Sequence, residues 1–320
     1  MSLRTKLAIL FSLLAIVPII FLSVFSYVNQ RSALVQKTIS QLESVAEIQR
    51  KRTEEKLGRY IEQVNFVTSR TQLRISLDAY LRTGDVAEIN RIRNSITDAK
   101  SSISVIDSIA VLSKEGRVLA ATKEVEEGKN YAGEGFVPVG LQSNFLHDVF
   151  KDTDGIIKAR LVGPLVLEGE TVGIALIVAK AAPLLAVTED YTGLGKTGEV
   201  LLAEKNKAGD ALFLTPLRFD AGAALTRAIP KDKENIPIIP AVYGEEKVFL
   251  EDALDYRGEP IIAVTRTIPS LGWGLMAKID RAEALAPIGA FAKTSATVAL
   301  LSILVIVAVS YLQDLRTLQP

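Results

Sequence analysis

The chain has no cysteine, and its 320 residues include one histidine, one tryptophan and two methionines. Without cysteine there is no disulfide, no thiolate nucleophile, no iron–sulfur cluster and none of the usual zinc clusters. The lone histidine, His147, cannot build a histidine-based metal site, and no G-x-S-x-G elbow supplies a serine to pair with it. Net charge is missing too: 37 basic residues balance 37 acidic ones, so no global field draws the chain to nucleic acid. No metal, cofactor or catalytic residue is expected, and the chain does not read as an enzyme.

Charge is also absent locally, in two places. Residues 7–28 (LAILFSLLAIVPIIFLSVFSYV) carry none, and about 20 apolar residues at ~1.5 Å each cross a bilayer core of ~30 Å. Pro18 is tolerable in a membrane helix. The apolar stretch is too long for a cleaved signal peptide and lacks its small-residue cleavage pattern, so a retained anchor is expected. A second span is expected over residues 290–312, uncharged from Thr294 to Leu312 between Lys293 and Asp314. Arg4 and Lys6 before the first span and Arg316 after the second favour cytoplasmic ends. Arg31 and Lys37, just past the first span, weaken that signal. The expectation is a two-span protein in contact with the lipid bilayer, with residues 1–6 and 313–320 cytoplasmic and the middle external.

Proline is lacking from Asn29 to Arg82, where Gly58 is the only glycine. Leu34, Leu42, Val45, Ile48, Leu57, Ile61, Val64 and Val67 recur at helical spacing, with Glu54, Glu55 and Lys56 between them. This pattern predicts an amphipathic helix leaving the membrane. Thr83-Gly84-Asp85 ends it, and a shorter helix follows over Ala87–Ala99, so residues 29–99 form stalk helices. One small domain cannot bury so long a helix on all sides, which points to a homodimer through the stalk and the spans.

Beyond Lys100 the period changes. SVIDSIAVLSKEGRVLAAT and IIKARLVGPLVLEGETVGIALIVA each read as two strands, turning at Lys114-Glu115-Gly116 and Glu168-Gly169. Between them, Lys123–Asp154 reads as a long polar insertion carrying Tyr131, Phe136 and Phe145. A second unit starts at Asp190. Its strands are EVLLAEKN, DALFLTPLRF, KVFLEDALDY, PIIAVTRTI and WGLMAKID, with a helix-like AGAALTRAI in the middle.

The runs GLGKTGEVLL and DYRGEPIIAVTRTIPSLGWGLMAKIDR resemble the second module of double Cache domains. These are extracytoplasmic sensor regions of bacterial chemoreceptors, sensor histidine kinases and diguanylate cyclases. The resemblance implies an α+β fold, a long N-terminal stalk helix carrying two tandem PAS-like antiparallel-sheet modules, flanked by two transmembrane helices. The membrane-distal module would span residues 100–189 and the membrane-proximal one 190–289. It further implies a bacterial inner-membrane receptor that passes small-molecule binding through its second span, and residues 313–320 are similar to the opening of a HAMP linker. The competing reading is a non-signalling, membrane-anchored scaffold.

Gly195-Lys196-Thr197 invites a nucleotide, since GKT closes many phosphate loops. The first glycine of such a loop should stand five positions before Gly195, where the chain has Asp190, and a strand follows instead of a helix. It is expected to be a glycine turn, with Gly198 at positive φ. Asp152 and Asp154 lack the further acidic positions of a calcium loop and read as a turn, and Trp273 reads as core.

Lys158 and Arg160 lie two apart on one strand and therefore on one face. Facing a cavity closed by the Tyr131–Phe136 insertion, they suit an anionic ligand such as a carboxylate; facing solvent, they are ordinary surface charges. The candidate ligand contacts are Tyr131, Phe136, Lys158 and Arg160. Amino-acid binders among double Cache domains carry an arginine–tryptophan pair in the insertion and a late aspartate. The insertion here has neither Arg nor Trp, and Ile174–Lys180 has no carboxylate, which argues against an amino-acid ligand.

Overall fold

The computed structural model describes residues 3–316. The first two residues of the expected N-terminal tail and the last four of the HAMP-like 313–320 segment lie outside the described residues.

Helix α1 runs unbroken from Leu3 to Thr68, with Pro18 inside it. Leu42, Leu57, Val64 and Val67 bury one stripe of it, while Ile48 stays half exposed on another. The expected single helix to Arg82 is broken once. Thr68 and Ser69 hydroxyls bond back to the carbonyls of Asn65 and Phe66, offering the backbone an alternative to the helical ladder. Arg70 turns extended before α2 (Thr71–Thr83), and α2 ends on left-handed Gly84. Asp85 then caps α3 (Val86–Ser102) by accepting from the Ala87 N–H.

The distal sheet has five antiparallel strands in the order β2-β1-β5-β4-β3. They are β1 (Ile106–Leu112), β2 (Val118–Ala121), β3 (Phe145–Lys151), β4 (Ile157–Leu167) and β5 (Glu170–Lys180). The expected hairpin at Glu168-Gly169 is present, with both residues left-handed at φ 51° and 87°. The insertion is more structured than expected: it holds a short α4 (Phe136–Gly140) and the whole of β3. β3 is a half-exposed edge strand whose register slips between Leu146 and Asp148, which erases the alternation that marks a strand. After β5, a short α5 (Ala182–Leu185) leads to the second unit.

The proximal sheet has six strands in the order β8-β7-β6-β11-β10-β9. Its long strands are β6 (Glu199–Lys205), β10 (Ile261–Ile268) and β11 (Trp273–Asp280); β7 (Ala211–Phe213), β8 (Ala228–Ile229) and β9 (Val248–Phe249) are short. AGAALTRAI is not a helix. Leu225 adopts φ 55°, and the Leu225 and Phe213 N–H groups donate to each other's strand, at Phe213 O and Arg227 O. Sheet pairing thus overrides alanine propensity. KVFLEDALDY gives only the two residues of β9, because Asp255 folds the rest into a turn by accepting from the Arg257 and Glu259 N–H groups. The connector contributes α6 (Ile238–Val242).

Both sheets lay one face on the stalk. Val64, Leu77, Ile96, Ile109 and Ile177 from the distal side, and Val200, Leu202, Leu275 and Ala277 from the proximal side, belong to one continuous core. The opposite faces have separate cores, around Phe136 and Val162 in one unit and Phe213 and Met276 in the other. Trp273 is buried, as the sequence suggested. Helix α7 (Arg281–Arg316) leaves β11 directly and packs beside α1. Its segment Arg281–Ala308 is long and apolar enough to cross a membrane. Phe21, Leu22 and Phe25 of α1 and Leu301, Leu304 and Val305 of α7 are exposed large apolar residues, which water does not favour in such density.

Candidate functional site

Strand alternation sends Ile177 and Ala179 of β5 to the stalk and Leu176 and Val178 to the other face. There, a cavity of about 240 Å³ is walled by β1, β4 and β5 and covered by the insertion. Tyr131, Lys158 and Arg160 all line it. Phe136 does not; it is fully buried behind the wall, with its ring 5.6 Å from Tyr131 and 5.2 Å from His147. The remaining charged lining groups are Asp107, Lys123, Glu126, Lys129 and Asp152.

These charges are organised in pairs. Lys158 Nζ donates to Asp107 Oδ2 at 2.9 Å and sits 2.7 Å from Asp152 Oδ2. Lys123 Nζ also donates to Asp107 Oδ2, at 2.7 Å. Arg160 grips Asp148 of β3 through two bonds, Nε to Oδ1 at 2.8 Å and Nη2 to Oδ2 at 2.6 Å. Its guanidinium lies 4.6 Å from the centre of the Phe150 ring, which leaves Nη1 without a partner among the described residues. Across the cavity, Tyr131 Oη donates to Glu126 Oε2 at 3.1 Å, and Lys129 Nζ to Glu126 Oε1 at 2.8 Å.

Burial alone would push the Asp107 carboxyl up, but hydrogen bonds from Lys123 and Lys158 outweigh it and hold it below its ordinary value. Asp152, bonded by Lys158, is lowered, and Lys158 is raised by the Asp152 and Asp107 bonds. All three are therefore charged at neutral pH. Burial, then Glu126, raises the Tyr131 phenol, which stays protonated as a donor. Burial lowers His147 below its usual value, against the pull of Asp148. Four cations line the cavity against three carboxylates, and Asp148 behind Arg160 balances the fourth.

Sequence reasoning missed Asp107, Lys123, Glu126, Lys129, Asp148 and Phe150. Asp107 had a signal, a lone carboxylate in the apolar strand IDSIAVL. Asp152 does form the expected turn, accepting from the Asp154 and Ile156 N–H groups, and it also holds Lys158.

The proximal unit fills the corresponding place with its own charges. In the distal sheet the Ser108–Val178 pair of β1 and β5 faces the cavity; the matching pair of β6 and β11 is Glu199–Lys278. Lys278 Nζ lies 2.9 Å from both Glu199 Oε1 and Asp255 Oδ2, with all three side chains at most 1% exposed. Tyr256 Oη donates to Glu199 Oε1, and Arg257 bridges Asp255 and Asp280.

The GKT stretch is a turn whose N–H groups already hold an anion from within the chain. Lys196 N and Thr197 N donate to the two Glu283 carboxylate oxygens at 2.8 Å each, and Thr197 Oγ1 adds a bond of 2.6 Å. Gly198 does not have positive φ, contrary to expectation; Gly193 and Gly195 do. A Cβ on Gly198 would lie 2.1 Å from the Leu194 carbonyl oxygen, so close approach requires the glycine. The same turn touches α1, where Gln41 donates to Gly193 O and Arg52 pairs with Asp190 at 3.3 Å.

A helical stalk carrying two tandem antiparallel sheets is the fold this chain shares with solved sensor and ligand-binding domains. Among solved structures, the sensor domain of the V. cholerae histidine kinase DctB matches at 13% identity and TM-score 0.52, covering 79% of this chain and 99% of that one. The ligand-binding domain of the Campylobacter jejuni chemoreceptor Tlp3, in complex with L-norvaline, matches at 10% identity and TM-score 0.53, covering 79% and 94%. That of the Pseudomonas aeruginosa amino-acid chemoreceptor PctC, in complex with GABA, matches at 17% identity and TM-score 0.53, covering 76% and 100%. No protein-family model and no curated protein sequence matches the chain.

Proposed function

We propose that the chain is the ligand-sensing input region of a bacterial inner-membrane receptor, non-enzymatic in itself, that binds a small anionic molecule in its distal module. The observation that carries this reading is the convergence of Tyr131, Lys158 and Arg160 on one walled cavity. The cavity suits a compact carboxylate. Arg160 keeps Nη1 available while Asp148 fixes its orientation, and a preset guanidinium fork recognises carboxylates well. Similar folds that bind amino acids or GABA support a small metabolite, and the strand order shared by the two sheets supports PAS-like modules at 100–189 and 190–289.

Binding transmits a signal only if the ligand favours one of two states. Arg160 is the first link, because its partner Asp148 lies on β3, and β3 reaches the proximal unit through Lys151 Nζ, which donates to Ala224 O at 3.2 Å. Glu283 is the last, tying the proximal unit to α7. In this reading residues 7–28 and 290–312 cross the bilayer, both ends are cytoplasmic, and a second copy packs along the stalk. Exposed Ile48 and Phe66 stand five helical turns apart on one stripe with exposed Arg52, Glu55, Arg59 and Glu62 between them, which supports such a pairing.

The test is a panel of mono- and dicarboxylates scored by thermal shift on the full chain in detergent. At least one should stabilise the wild type and fail on Arg160→Ala. Shifts that persist undiminished in Arg160→Ala would defeat the assignment of the cavity.

A further inference from the structure

A second crevice, of about 360 Å³, opens where α1 and α7 leave the globular part. Its walls include Tyr27, Val28 and Arg31 of α1, Glu251 of the loop after β9, and Arg281 and Leu285 of α7. We propose that this crevice binds the phosphodiester headgroup of an anionic glycerophospholipid from the outer leaflet, an inference that rests on the two-span reading above.

Position is the first argument. Arg31 lies three residues past the end of the 7–28 span, about 5 Å along the helix, and the headgroup layer beyond the hydrocarbon core is roughly 5–8 Å deep on each side. Tyr27, one turn below, has the amphipathic ring that settles at this depth. Charge is the second. Arg31 makes no hydrogen bond or ion pair among the described residues, and Arg281 has only a loose approach to Glu251, at 3.9 Å. Glu251 is 75% exposed and free to swing into water when a phosphate arrives. Arg281 opens α7 nine residues before the 290–312 span, about 13 Å along the helix, so its long side chain reaches down the crevice wall to meet Arg31 at one diester. Continuity is the third. Val28 is exposed, as are Val24 and Phe25 below it, so an apolar path for an acyl chain runs from the crevice down the outside of α1. A headgroup seated here touches both helices at once and sets their spacing.

The full chain would be reconstituted in nanodiscs of equal phosphatidylglycerol and phosphatidylcholine, released gently, and its bound lipids counted by native mass spectrometry. Phosphatidylglycerol should be enriched over the bulk ratio. Arg31→Gln and Arg281→Gln should each cut the enrichment by about five-fold, the size expected for one cationic side chain at an anionic lipid surface. Lys37→Gln, outside this crevice, should leave it intact. Bound lipid at the bulk ratio, or enrichment that survives the double substitution, would overturn the inference while leaving the receptor reading untouched. Loss of enrichment in millimolar inorganic phosphate would show a site for free phosphate and overturn the lipid assignment. A chain that washes out of membranes at alkaline pH would overturn the two-span reading, and this inference with it.

Discussion

Thr197 holds Glu283 twice, by its backbone N–H at 2.8 Å and its hydroxyl at 2.6 Å, so the turn that opens the proximal module is fastened to the first turn of α7. The fastening uses backbone donors and not the lysine side chain. Lys196→Ala should therefore leave stability nearly unchanged and reveal no nucleotide affinity. Glu283→Ala should cost about 1–3 kcal/mol, the range for stranding partly buried donors of a charged acceptor, read as a lower Tm of the full chain. Lysine-dependent ATP binding, or an unaltered Tm in Glu283→Ala, would contradict this account.

Arg160 and Asp148 form the second test. Asp148→Asn keeps the shape but gives up the charge that aims the guanidinium. We expect Arg160→Ala to weaken carboxylate binding about ten- to a hundredfold, equivalent to roughly 1.5–3 kcal/mol. Asp148→Asn should produce a smaller loss in the same direction. Titration calorimetry with a carboxylate that stabilises the wild type measures both. Arg160→Ala should also cost about 1 kcal/mol without ligand, since its ion pair and its ring contact with Phe150 go together. If Asp148→Asn proved as harmful as Arg160→Ala, Asp148 would be a direct ligand contact and not a positioning residue.

Glu204 of β6 gives a pH dependence. Burial first, and the Asp148 charge second, push its carboxyl from 4.5 up to about 7, against a hydrogen bond from Trp273. The folded state thus holds this proton more tightly than the unfolded one. Its contribution is favourable below the unfolded value and is lost as pH rises towards 7. Glu204→Gln should raise the Tm at pH 8 by about 2–4 °C and change it little at pH 4. An equal shift at both values would mean that packing, and not charge, decides the effect.

Lys278 should be the least replaceable charge in the chain. Lys278→Met leaves Glu199 and Asp255 buried side by side, and removing one partner of a buried ion pair typically costs about 3–5 kcal/mol. Replacing Lys278, Glu199 and Asp255 together by apolar residues of similar volume should recover only part of that loss, because the Arg257 and Glu259 N–H groups and the Tyr256 hydroxyl lose their acceptors. Chemical denaturation of the single and triple variants decides between burial strain and a need for the charges themselves.

Long-period features were legible in sequence and local exceptions were not. The stalk, the two hairpins of the distal sheet and the β10–β11 pair came from periodicity and turn residues, because a continuous buried stripe leaves a mark at every repeat. β3 was hidden because an edge strand with a slipped register buries little and alternates poorly. The segment 221–229 misled because its alanines favour a helix, whereas hydrogen bonds to Phe213, distant in sequence, decide its shape. In the cavity, Lys158 and Arg160 were visible as a same-face pair. Asp148, which faces Arg160 across the β3–β4 ladder, depends on a register that no short window encodes.

The unbroken run of α1 has a mechanical meaning. From Val28 to Thr68 it is a rod about 60 Å long, and both sheets are packed along it without a joint. On such a lever each degree of tilt at one end becomes roughly 1 Å of travel at the other, the scale of helix shifts in allosteric transitions. In the two-span reading proposed above, rearrangement around a molecule no larger than the distal cavity needs no large domain movement to shift α1 at the bilayer. The break at Ser69–Arg70, on the far side of that cavity's sheet, starts two separate helices, α2 and α3, whose Leu77 and Ile96 are buried in the same core as the rod.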